Sequence, residues 1–174
     1  MIKVFVKGPI LTQTGYGHHA RTVIRALRTR PEVFDLYIHP LTWGQTSWLW
    51  EDNEERAWFD ETLKKTIAYS QNNGTFDISL QVTIPNEWEK IAPINIGVTA
   101  GIETTKVAPQ WIEKSFLMDK IITISNHSKQ TYKNTSYDYR NEKTGETGTI
   151  KLETPIEHIS YPVRSWPSKK LDLE

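Results

Sequence analysis

The chain has 174 residues, with Lys+Arg and Asp+Glu both at 21 and no cysteine. That length fits one domain, enough to bury roughly 70% of its unfolded surface in a core that needs no staple. Balanced charge leaves no global field for a polyanion and argues against nucleic acid as a partner. The absence of thiols excludes disulfide frameworks, thiolate catalysis and cysteine-ligated metal, and suits a reducing cytoplasm. Met1 leads directly into Ile2-Lys3-Val4-Phe5-Val6, and no apolar run is long enough for a signal sequence or a membrane span. A soluble, unprocessed, cytoplasmic protein without a transmembrane segment is expected.

Ile2 to Lys7 reads as a buried first strand, ended by Gly8-Pro9. A polar loop runs to Gly17. From His18, the apolar residues Ala20, Val23, Ile24 and Leu27 recur at helical spacing with Arg21, Arg25 and Arg28 opposite, which predicts an amphipathic helix closed by Pro31. Asp35 to Leu41 is the second expected strand. Asn53 to Ser70 is the second helix, with Phe59, Leu63 and Ile67 in one row and Asn72-Asn73-Gly74 as its stop. Phe76 to Val82 and Ile94 to Ala100 follow as strands, separated by Pro85-Asn86-Glu87-Trp88. Pro109 opens a helix through Met118. Ile121 to Ile124 is a β-branched run typical of a central parallel strand, and Ser125-Asn126 would cap the helix after it. The polar stretch 133–153 has the turn residues and β-friendly sequence of an inserted hairpin. His158 to Val163 is strand-like. Strands alternating with helices predict an α/β, Rossmann-like domain over 1–163: a mainly parallel sheet, right-handed crossovers and helices on both faces. Residues 164–174 then begin a linker.

Three constellations carry chemistry. Gly15-Tyr16-Gly17-His18-His19-Ala20 fits the dinucleotide pattern G-x-G-x-x-A. Its glycines do not follow the first strand directly, and the second strand ends at His39-Pro40 with no acid, which argues against nicotinamide or flavin. Glycines at a helix N-terminus still let backbone N–H groups approach a diphosphate or a sugar hydroxyl network, although a simple turn into the helix would also explain them. In Gly97-Val98-Thr99-Ala100-Gly101-Ile102-Glu103-Thr104, a strand ends in small residues where open α/β sheets bind ligands. Glu103 there is either a sugar-hydroxyl acceptor or base, or a solvated loop acid beside Lys106. Ser125 and Asn126 are candidate substrate contacts, with helix capping as the alternative, and His127 reads as a surface residue. Seven tryptophans, including Trp43, Trp48 and Trp50, add aromatic surface for a core or a cleft.

Together, Thr14-Gly15-Tyr16-Gly17, Gly97 to Glu103, Asp119 to Ser128 and His158 to Val163 resemble the N-terminal domain of GT-B glycosyltransferases of the group 1, GT4-like type. The resemblance covers nearly the whole chain outside 133–153. It implies one lobe of a two-domain enzyme that moves a sugar from a nucleotide-diphosphate donor to an acceptor hydroxyl, such as that of a glycan, with no essential metal and no further cofactor. The nucleotide site would lie on a second GT-B domain absent from this chain, so the chain alone should be inactive. The implied substrate contacts are Gly15, Tyr16, Gly17, His18, Thr99, Gly101, Thr104, Ser125 and Asn126, with Glu103 as the catalytic candidate. Two departures stand out: Thr99-Ala100-Gly101 lacks the family's frequent His, and Tyr161-Pro162 replaces the common Asn-Gly before the interdomain crossing. The competing reading is a non-catalytic carbohydrate- or protein-binding module built on the glycine loop and Trp43, Trp48 and Trp50. A polar cleft at the carboxyl ends of the strands would favour the lobe, and an exposed aromatic patch elsewhere would favour the module.

Overall fold

A computed structural model describes residues 1–43, 47–49, 51–140 and 144–162. The expected linker, 164–174, and Trp50 lie outside the described residues.

The elements run in the order β1 (Ile2–Gly8), α1 (Gly15–Arg28), β2 (Phe34–Pro40), α2 (Glu54–Gln71), β3 (Ile78–Val82), a 3-10 turn at Pro85–Glu87, and β4 (Ile94–Thr99). They continue with α3 (Pro109–Ser115), β5 (Lys120–Thr123), α4 (Asn126–Asn134), β6 (Ser136–Arg140), β7 (Thr147–Lys151) and β8 (Ile156–His158). Six strands form one sheet in the order β2-β1-β3-β4-β5-β8, every neighbouring pair parallel. The fold is therefore α/β and Rossmann-like, as the alternating pattern predicts. Because β1 leads outward to β2 and the chain then returns to the other side of β1, the strand order reverses at β1/β3. The carboxyl end of such a switch point is where open sheets bind ligands.

One sheet face carries Val4, Val6, Leu36, Ile38, Leu80, Val82 and Val98, and packs on Ala20 and Ile24 of α1. The opposite face brings Ile121 and Ile156 against Ile112 of α3, Tyr132 of α4 and the fully buried Trp88. A Cβ at Gly97 would lie 2.5 Å from the Trp88 ring, so the strand can pass over the indole only as glycine.

The row expected on α2 is different from the one observed. Phe59, Thr62 and Thr66 are its buried residues, and Ile67 is half exposed. The cause is that α2 runs beside the edge strand β2, where hydroxyls are more useful than methyls. Thr66 Oγ1 accepts the Ile38 N–H at 2.9 Å, and Lys65 Nζ donates to the Leu36 carbonyl at 3.0 Å. These bonds occupy backbone groups that an open edge would leave as a template for another strand.

Several boundaries also move. Helix α1 starts at Gly15 instead of His18, because Thr14 Oγ1 accepts the Gly17 N–H at 3.0 Å and caps it. Helix α3 ends at Ser115, short of Met118. The expected strand from His158 onward is instead Ile156–His158, paired to β5, while Val163 lies outside the described residues. Within 133–153, β6 and β7 form a separate antiparallel pair. Among the described residues, no helix is long and apolar enough to cross a membrane.

Candidate functional site

The β1–α1 loop is built rigidly from its own polar atoms. Arg21, buried on α1, donates from Nη1 to the carbonyls of Ile10 and Thr12, both at 2.7 Å. The Thr12 and Thr14 hydroxyls are 2.7 Å apart, and Thr12 also donates to the Pro9 carbonyl at 2.9 Å. Residues 47–49 brace the loop from outside, with an antiparallel bridge between Thr12 and Trp48.

The two glycines of the loop face opposite ways. A Cβ on Gly17 would sit 2.3 Å from the Thr12 carbonyl oxygen and 2.8 Å from that of Pro9, so its space is filled by the loop and not by a ligand. A Cβ on Gly15 would meet nothing within 4 Å. Gly15 is thus the glycine that opens the surface, while Gly17, one of the expected substrate contacts, is packed against the loop instead.

Tyr16 links the loop to the end of β4. Its hydroxyl lies 2.8 Å from Thr99 Oγ1 and accepts the Ala100 N–H at 3.1 Å. The phenol is raised above its usual pKa chiefly by burial, against which the bonds to Thr99 and Ala100 pull down, so it acts as a neutral hydroxyl. Beyond Ala100 the backbone turns through Gly101 at φ +82°, where a Cβ would clash with Ser128. The Ser128 hydroxyl donates to the Ala100 carbonyl at 3.2 Å, which ties α4 to the β4 end. Ser125 caps α4 by accepting the Ser128 N–H at 3.1 Å. Glu103 and Asn126 are exposed, and Thr104 is exposed and bonded to the Lys106 carbonyl.

Among the residues expected at the site, Gly15, Tyr16 and His18 line a cavity of about 470 Å³ together with Thr14, His19, Trp43, Ala100, Ile124 and Tyr161. That volume is within the range of small-molecule sites. Thr99 and Gly101 support its floor through Tyr16 and Ala100. Gly17, Glu103, Thr104, Ser125 and Asn126 do not line it. The lining comes from the loops after β1, β2, β4, β5 and β8, so the cavity stands at the carboxyl rim near the switch point. Its character is aromatic, so it is neither the polar rim cleft named as favouring the lobe nor the aromatic patch away from the rim named as favouring the module. A cavity of similar size, about 490 Å³, lies by Arg28, Phe34, Asp35 and Trp58 near the start of β2, away from the rim.

The chain matches no protein-family model, no curated protein and no solved structure.

Of the residues lining the cavity, His19 and Tyr161 are not among the expected site residues, and Trp43 is expected only in the binding-module reading. Trp43 packs edge-on against Tyr16, with ring centroids 5.3 Å apart. Its indole N–H donates to the Glu87 carboxylate at 3.0 and 3.2 Å, and the Thr83 hydroxyl donates to the same carboxylate. Glu87 therefore fixes the Trp43 wall. Lys7, buried on β1, anchors that segment by donating to the Glu87 carbonyl and pairing with Glu89, both at 2.8 Å. Tyr161 folds back over α1, 4.8 Å from the His19 ring and nearly parallel to His18. His19 is buried with Nδ1 unpartnered, and burial, followed by the neighbouring His18, pushes its pKa down to about 4, leaving a neutral imidazole at physiological pH. Among the described residues, no group of three or more His, Cys, Asp or Glu side chains is placed to hold a metal.

Proposed function

We propose that the chain is the acceptor-side lobe of a glycosyltransferase that transfers a sugar from a nucleotide-diphosphate donor to an acceptor hydroxyl. The observation that carries this reading is the aromatic cavity at the carboxyl rim, walled by Tyr16, Trp43 and Tyr161 beside the open Gly15 turn. Its position is where the motif order and the switch point both direct a ligand. Flat aromatic walls suit the apolar face of a sugar ring, and the hydroxyls of Thr14 and Tyr16 lie on the same rim. The first-turn amides of Gly15 and Tyr16, at the positive end of α1, suit the oxygens of a donor diphosphate. In this reading a second lobe supplies the rest of the nucleotide site.

The binding-module alternative draws less support. Trp43 is half-buried in the rim cavity, while Trp48 stands apart, bridged to Thr12 beside a cleft containing Glu51, Asp52, Arg56 and Asp60.

The isolated chain is expected to show no sugar transfer and to bind nucleotide sugars no better than millimolar in calorimetry. Roughly half of the diphosphate contacts would be missing, and binding must still overcome several kcal/mol of lost ligand freedom. Micromolar affinity would contradict the lobe reading and favour a self-sufficient binding protein.

A further inference from the structure

Within the sugar-transfer reading, on which this inference rests, the lining of the rim cavity narrows the acceptor. We propose that the acceptor is a ring-containing alcohol without anionic groups, a glycoside carrying neither phosphate nor carboxylate, held against the wall formed by Tyr16 and Trp43.

The argument is electrostatic. Among the described residues, no lysine or arginine lines the cavity. The nearby Arg21 is buried behind α1, with its Nη1 shared between the Ile10 and Thr12 carbonyls, so it does not extend to a ligand. The charge nearest the aromatic wall is negative: Glu87 sits behind Trp43 and is close enough to act on the Tyr16 phenol. An anionic ring placed against Tyr16 and Trp43 would lose hydration, meet no lysine or arginine on the described lining and face that carboxylate. A neutral ring loses little by comparison, because its hydroxyls can exchange water for the first-turn amides while its apolar face covers the aromatic rings. The partial positive charge of the α1 N-terminus is confined to the first turn, and so it can serve a donor phosphate beside Gly15 without changing the character of the aromatic wall.

The test uses the full chain at pH 7.5 with phenyl β-glucoside and phenyl β-galactoside as neutral probes and phenyl β-glucuronide as the anionic probe. Affinities are measured by ligand-observed NMR at low and high salt, with Gly15→Val and Trp43→Ala locating the binding. At least one neutral glycoside is expected to bind about ten-fold or more tighter than the glucuronide, with affinity unchanged by salt and weakened by both substitutions. Tighter binding of the glucuronide, lost in the same variants, would overturn the inference of an acceptor without anionic groups and leave the sugar-site reading standing. Failure of every glycoside to bind, or binding indifferent to both substitutions, would overturn both.

Discussion

Gly17→Val is expected to destabilise the protein strongly, whereas Gly15→Val should fold normally and lose ligand binding. At position 17 the first added carbon already lies 2.3 Å from the Thr12 carbonyl oxygen, and 2.8 Å from that of Pro9. Both neighbours are backbone, and Thr12 is held by the Arg21 guanidinium, so neither can yield cheaply. Overpacking of this kind costs about 3 kcal/mol or more, which for a chain of this size lowers the melting temperature by about 10 °C. At position 15 the new side chain enters open space at the start of a right-handed helix, so stability should stay within about 0.5 kcal/mol of the parent. The same valine would project into the rim cavity and weaken a bound glycoside by at least about ten-fold. Thermal melts and ligand titration of the two variants check this contrast. Equal melting temperatures would contradict the packing argument, and unimpaired binding by Gly15→Val would remove Gly15 from the site.

Trp88→Ala should cost about 3–5 kcal/mol, the usual range for emptying a large aromatic site in a core. The indole is fully buried among Ile112, Ile121 and Tyr132, directly beneath the bare backbone of Gly97. A strand cannot sink to fill that void without breaking its pairing to β3 and β5. Trp88→Phe is expected to lose roughly half as much, since the buried indole N–H has no partner to forfeit. Denaturant unfolding separates the two. A loss below about 1 kcal/mol for Trp88→Ala would show that the loop can collapse into the space.

The sheet was legible because its evidence is local. Runs such as Ile121 to Thr123 and the stripe Ala20, Val23, Ile24, Leu27 announce themselves within a few residues, and each occurs where its period directs. The polar tract 133–153 likewise held paired strands. What could not be read locally was assembled across the chain. Thr62 and Thr66 look like neutral surface positions until β2 is placed beside them, at which point Ile67 becomes the exposed residue. Glu87 appeared only as part of a turn, yet its bond to Trp43 spans 44 positions, and the Tyr16–Thr99 contact spans 83. Tyr161 stands out in the sequence only as part of a departure before the expected interdomain crossing, yet it returns to cover His19 near the other end of the sequence. The G-x-G-x-x-A spacing correctly marked a helix N-terminus; it could not say which glycine faced outward, because that depends on where the 9–12 loop folds.

The most direct measurement is a backbone amide NMR titration of the full chain with the neutral phenyl glycosides. The account predicts shifts concentrated at Gly15, Tyr16, Ala100 and Gly101, saturating with one dissociation constant in the millimolar range. Shifts centred instead on Arg28, Phe34 and Trp58 near the start of β2, or no saturable shifts at all, would contradict the assignment of a carbohydrate acceptor site to the carboxyl rim.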